Sequence, residues 1–182
     1  MLNSSRVLLL MLLLFTLMSG CGSTKTGLSA IAGHSGFDNA RTVNIYPHAN
    51  VSTGPSIYTG LGAQWNASRP DTVLIIVAVW QLQSYTGITE AELNIDGEKI
   101  LLTPPSGSTT DFDTIKNYWV YRQSTRAFAT DIAIVKKIIA SKRTWLRIHT
   151  PTGYIEDAVI DGATDSKAYN ALIRFIAAVE EK

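Results

Sequence analysis

At 182 residues and 46% hydrophobic content, the chain is long enough for one domain with a sizeable core. Sixteen basic and fifteen acidic residues leave a formal charge of +1, without the strongly basic field by which nucleic acid is bound. A single cysteine excludes a disulfide within the monomer.

The first element is an apolar run from Val7 to Met18, broken only by Thr16. Twelve helical residues span about 18 Å against a hydrocarbon core of about 30 Å, which is too short to cross comfortably. A buried core helix would need a polar face, and Val7–Phe15 has none. With Arg6 ahead of it and small residues behind, the run reads as the apolar part of a secretory signal over residues 1–20.

Met18-Ser19-Gly20-Cys21 closes that run and resembles a bacterial lipobox, with Met18 where the family usually has Leu. The resemblance covers only these first residues. It implies lipid attachment at Cys21, cleavage in front of it, and a mature amino terminus carrying three acyl (palmitate-like) chains. One chain anchors only marginally at about 0.8 kcal/mol per methylene, so several together hold a protein on a membrane without a spanning helix. Gly22 in second place resembles lipoproteins sorted to the outer membrane, on its periplasmic face. The competing readings of Cys21 are an incidental cysteine behind an ordinary signal, or a reactive thiol. Losing Arg6 with the signal leaves fifteen charges of each sign and a mature domain free of thiols, suited to an oxidising compartment.

Residues 21–40 are rich in Gly, Ser, Thr and Ala and read as a lipidated terminus and tether. A flexible chain of about 18 residues has a span of roughly 25 Å. One globular domain is expected over 41–182. Ser56–Asn66 alternates, with Ile57, Leu61, Ala63 and Trp65 on one face and Tyr58, Gly60, Gly62 and Gln64 on the other. Thr72–Trp80 is apolar at nearly every position and β-branched, as a central strand buried on both faces would be. Asp96-Gly97 predicts a type I′ hairpin that sets Ile95 opposite Glu98, Leu93 opposite Ile100 and Ala91 opposite Leu102. A polar loop is expected from Pro104 to Asp113, then a strand over Tyr118–Phe128.

Thr130 is the expected cap of a short helix with Ile132, Val135, Ile138 and Ile139 inward. Arg143–Thr150 and Tyr154–Ile160 read as a hairpin closed by a three-residue loop, Pro151-Thr152-Gly153. Thr164 or Asp165 is expected to cap a last helix whose inner face is Ala168, Leu172, Phe175, Ile176 and Val179. Strands, helix, hairpin and helix together predict an α+β domain. The expected core is an antiparallel, strongly twisted sheet or partly closed barrel of about seven or eight strands with two packed helices. The alternative is a β-sandwich with a C-terminal helix.

Chemistry is harder to find. The chain has no phosphate-binding G-x-x-x-x-G-K, no G-x-S-x-G, no H-E-x-x-H and no C-x-x-C. Gly60-Leu61-Gly62 lies inside a strand pattern, where glycine permits curvature or close packing of a ring rather than dinucleotide binding. His34, His48 and His149 have no ligand spacing, and Asp111-Phe112-Asp113 reads as solvated loop; no metal or cofactor is expected. The candidate ligand or partner surface is Trp119, Tyr121, Arg122, Arg126, Arg143 and Arg147. Rings beside guanidinium groups can hold sugars or anions, while the plainer reading is core aromatics and snorkelling arginines.

These features predict a cell-envelope lipoprotein, anchored at Cys21, with a non-enzymatic binding or assembly role toward an envelope protein or glycan and none toward nucleic acid. The alternatives are a small envelope hydrolase with a dispersed site, and a subunit that assembles through an exposed strand edge.

Overall fold

The computed structural model describes residues 29–52, 54, 56–116 and 120–181. Among them are strands β1 (Ile31–His34), β2 (Arg41–Ala49), β3 (Ile57–Asn66), β4 (Thr72–Gln81), β5 (Glu90–Ile95) and β6 (Glu98–Leu102). They continue with β7 (Asp111–Lys116), β8 (Val120–Asp131), β9 (Arg143–Thr150), β10 (Gly153–Asp161) and β11 (Thr164–Asp165). Helix α1 (Ile132–Ala140) precedes β9, and α2 (Lys167–Glu180) ends the domain. A six-stranded sheet runs β1-β2-β3-β4-β8-β7 and a five-stranded sheet β11-β10-β9-β5-β6, with antiparallel pairing in both. The larger sheet curls into a half-barrel. The α+β class expected from the sequence is the one found, with more strands than expected.

Burial explains the assignment of faces. Val73, Ile75, Val77 and Val79 of β4 point into the core, and Ala78 and Trp80 are buried on the opposite face. The smaller sheet contributes Leu93, Leu146 and Ile148 to the same core. Helix α2 lies mainly on β2 and β3 and touches α1. Its Ala168, Leu172, Phe175 and Ile176 are buried, following the 3.6-residue period read from the sequence.

Two seams join the sheets. Past the end of β2 the chain leaves its own sheet: Val51 N donates to Ala158 O at 2.9 Å, and Ala158 N returns a bond to Val51 O at 3.1 Å. At the other seam Ala129 N donates to Thr103 O at 3.0 Å. Beside the first seam, the buried Asp157 takes the Thr59 amide through Oδ2 at 2.7 Å, while Asn50 Nδ2 donates to Thr59 Oγ1 at 2.9 Å. The result is the partly closed barrel.

The glycines of β3 set its curvature. One extra residue in β2 between Ile45 and His48 makes a bulge at Tyr46-Pro47, where proline's missing N–H is tolerated. Gly62 lies beneath it: a Cβ there would sit 2.6 Å from both Ile45 O and Pro47 N. The Trp80 ring occupies the space where a Gly60 side chain would start. Trp80 also stacks on Tyr58, with centroids 5.1 Å apart.

Local details differ from expectation at five places. Residues 31–34, read as tether, form β1 against Arg41–Asn44, because the Ser35–Ala40 turn closes a hairpin. Thr130 is still in the ladder opposite Val73, so Asp131 caps α1 by accepting from Ala133 N. Thr164 and Asp165 pair with β10, which moves the α2 cap to Ser166. Strand β7 begins at Asp111, inside the expected polar loop. Thr150 pairs directly with Gly153, whose φ of +146° suits only glycine, so the β9–β10 loop has two residues rather than three. The Asp96-Gly97 hairpin, in contrast, has the expected register at all three pairs.

Gly62→Ala drives a methyl group into the backbone of the bulge and is expected to cost about 1–3 kcal/mol. Gly36→Ala meets nothing within 4 Å and is expected to stay within about 0.5 kcal/mol of the parent. Urea titration of the two variants checks the contrast; equal midpoints would remove the steric role of Gly62. Asp157→Ala strands the buried Thr59 amide and is expected to lose about 1–3 kcal/mol, with Asp157→Asn losing less because it keeps an acceptor. Thermal unfolding of the two Asp157 variants gives the order.

Candidate functional site

The outward face of the five-stranded sheet carries a row of polar and aromatic side chains. Alternation sends Leu146 and Ile148 of β9 inward, so Arg143, Trp145, Arg147 and His149 face outward. The neighbouring strands line up with them: Glu92 opposite Arg147 on β5, and Glu156 and Tyr154 of β10 opposite Arg147 and His149. Lys99 extends the row on β6, paired with Asn94.

These side chains hold one another. Arg147 Nε donates to Glu156 Oε1 at 2.5 Å, and its guanidinium lies 5.0 Å from the Tyr154 ring centroid. The bond it donates to Glu156 is the main reason the Arg147 pKa is raised. His149 Nε2 meets Glu92 Oε1 at 2.7 Å. Trp145 Nε1 donates to Asp161 Oδ2 at 3.2 Å, and Arg143 spans the Trp145 ring and Asp161. Asn94, Lys99, Arg143, Trp145, Arg147 and Glu156 line a shallow depression of about 350 Å³. Oriented rings, fixed guanidinium groups and carboxylates on a flat sheet suit a broad polar partner, through stacking and charge-assisted hydrogen bonds.

The residues singled out from the sequence do not form one surface. Arg143 and Arg147 belong to this face. Arg122 and Arg126 alternate with Tyr121 on β8 and lie on the opposite side of the larger sheet. Arg126 donates to Ile88 O, Thr89 O and Ser108 O at 2.7–2.9 Å, so it pins two connecting segments and is structural. Arg122 donates to Thr114 Oγ1 at 3.1 Å and lies over Tyr85. The Tyr85 hydroxyl bonds the same Thr114 oxygen at 2.6 Å, which is the main reason its pKa is lowered. Tyr121 stands edge-on to Tyr58 at 5.4 Å, and burial raises the Tyr58 pKa. Trp119 and Cys21 lie outside the described residues. Sequence reasoning missed Glu92, Trp145, His149, Tyr154 and Glu156; the available signal was the strict alternation of T-W-L-R-I-H-T.

No family model matches the chain, and neither does any curated protein or solved structure. Among the described residues, no group of three or more His, Cys, Asp or Glu is placed to hold a metal ion. Nor is any helix among them long and apolar enough to cross a membrane.

A second depression, of about 400 Å³, lies between the β1–β2 and β3–β4 turns and is lined by Asp38, Gln64, Trp65, Ser68 and Arg69. Asp38 ties the turns together: Oδ1 accepts from Ala40 N at 3.1 Å and Oδ2 from Ser68 Oγ at 2.7 Å. Hydrogen bonds from Ser35 and Ser68, then Ala40, lower its pKa to about 2. A carboxylate lowered in the folded state contributes stability above its ordinary value near 3.8 and loses it as pH falls toward about 2. The Asp38 carboxyl resonance is expected to titrate near pH 2, and the Ser35–Ala40 turn amides to move with it. Titration at the ordinary carboxylate value would contradict the turn geometry.

Proposed function

We propose that this protein is a cell-envelope lipoprotein, held at Cys21 on the periplasmic side of a bacterial membrane, with a non-enzymatic binding role. The observation that carries the reading is Met18-Ser19-Gly20-Cys21 directly behind the short apolar run Val7–Met18. Gly22 supports the outer membrane as the site. The exposed ladder of Arg143, Trp145, Arg147, His149 and Tyr154 supports a binding role, because it offers rings and charged groups already held in place. Its broad, shallow form suits an envelope protein or a glycan strand better than a small molecule, which takes a concave and mostly apolar site.

One experiment addresses both parts: cross-linking in intact cells with the parent, Cys21→Ser and a Trp145→Ala/Arg147→Ala double variant. Cys21→Ser is expected to accumulate as uncleaved precursor without lipid label. The double variant is expected to keep its label and outer-membrane fraction while losing at least tenfold of the cross-linked partner. Equal lipid labelling of parent and Cys21→Ser would end the anchored reading, and undiminished cross-linking by the double variant would end the role of this face.

A further inference from the structure

The turn between β1 and β2 exposes a phenylalanine completely. Phe37 is 100% exposed, while the backbone around it is closely tied. Ser35 N donates to Ala40 O at 2.8 Å, Asn39 N to Ser35 O at 2.9 Å, and Phe37 N to Ser35 Oγ at 3.2 Å. Asn39 adopts a φ of +56°, a left-handed conformation that asparagine tolerates better than most residues. The Asp38 carboxylate turns away from the tip to Ala40 N and Ser68 Oγ, linking this turn to the β3–β4 turn. The ring is therefore held out from the surface by an ordered loop.

Its position in the chain says what it meets. Ile31, the first residue of β1, is the tenth residue after Cys21 and is itself 45% exposed. Ten residues reach at most about 35 Å. An acylated Cys21 would keep Ile31, where the β1–β2 hairpin begins, within that distance of the lipid.

We propose that Phe37 inserts into the membrane interface and, with the acyl chains, fixes which end of the domain faces the bilayer. This rests on the anchored reading of Cys21. From free solution, burying one phenylalanine is a preference of roughly ten- to a hundredfold, too weak to recruit a protein. On an anchored domain the contact is intramolecular, and the same preference acts at a high effective concentration. The ordered turn adds to it, because little conformational freedom is lost on insertion. The β4 strand then places its far end, and the segment after it, roughly 30 Å from the turn.

The test uses the full mature, lipidated protein in phosphatidylethanolamine–phosphatidylglycerol vesicles containing acyl-chain spin labels. A nitrobenzoxadiazole probe is placed at Gly36→Cys, beside an intact Phe37, and separately at Gln83→Cys, an exposed residue past the far end of β4. Gly36 has open space for a side chain. The probe at 36 is expected to shift to the blue and be quenched at least threefold more than the probe at 83. Adding Phe37→Ser to Gly36→Cys is expected to return the quenching to the level at 83. Equal quenching at 36 and 83, or quenching at 36 that survives Phe37→Ser, overturns the inference while leaving the anchor intact. If the parent itself does not float with the vesicles, the anchored reading fails and takes this one with it.

Discussion

The barrel depends on where the Thr59 amide finds its acceptor. In an unbroken antiparallel ladder, Thr59 and Asn50 would exchange two backbone bonds; here Asn50 N donates to Thr59 O, but Thr59 N donates to the Asp157 carboxylate. That exchange lets the chain leave β2 at Asn50 and pair with Ala158 at Val51, so one strand serves both sheets. Without Asp157 the crossing would leave a buried donor unsatisfied, at a cost comparable to a large fraction of what a core mutation removes. A polar side chain thus completes an apolar barrel.

Curvature follows from the same region. Bending the larger sheet enough to meet β10 needs the bulge at Tyr46-Pro47, and the bulge needs a neighbour without a side chain, which is Gly62. Gly60, two residues away, gives up its outward space to Trp80, whose Nε1 donates to Gln123 Oε1 across the β4–β8 pair at 2.9 Å. The outer face of this sheet is therefore filled by its own rings and small residues. On the core side, Arg41 donates to Ala178 O and Val179 O, closing the end of α2 against the start of β2.

Much of this fold was legible in the sequence. Periodicity and the Asp96-Gly97 turn placed the central strand, the β5–β6 hairpin and the inner face of α2, since each rests on contacts local in the chain. The candidate site was less legible because of a single residue of register. A three-residue loop at Pro151-Thr152-Gly153 sets Thr150 opposite Tyr154, whereas the two-residue loop sets His149 opposite Tyr154 and Arg147 opposite Glu156. A one-residue slip changes which side chains share a face, so the ladder was invisible until the loop was known. The His149–Glu92 contact joins residues far apart in the chain through the β5–β9 pairing, which no local pattern encodes. Arg122 and Arg126 resembled Arg143 and Arg147 in composition alone; alternation on β8 turned Arg126 to backbone carbonyls and Arg122 to the Thr114 hydroxyl.

The ladder's internal pairing bears on how it could recognise a partner. Exposed ion pairs add little to stability, because solvent screens them and ordering two long side chains costs entropy. The Arg147–Glu156 pair is over a third exposed on both sides, and Tyr154 beneath the guanidinium is 63% exposed. Redirecting Arg147 to a partner's oxygens therefore costs the fold little, while Glu156 remains free to accept from a hydroxyl or an amide. Arg126 is the counterexample: its three carbonyl partners hold two segments in place, so it cannot be turned outward without loosening the fold. Arginines of the same chain thus differ in whether they can change partners: Arg147 can do so at little cost to the fold, and Arg126 cannot.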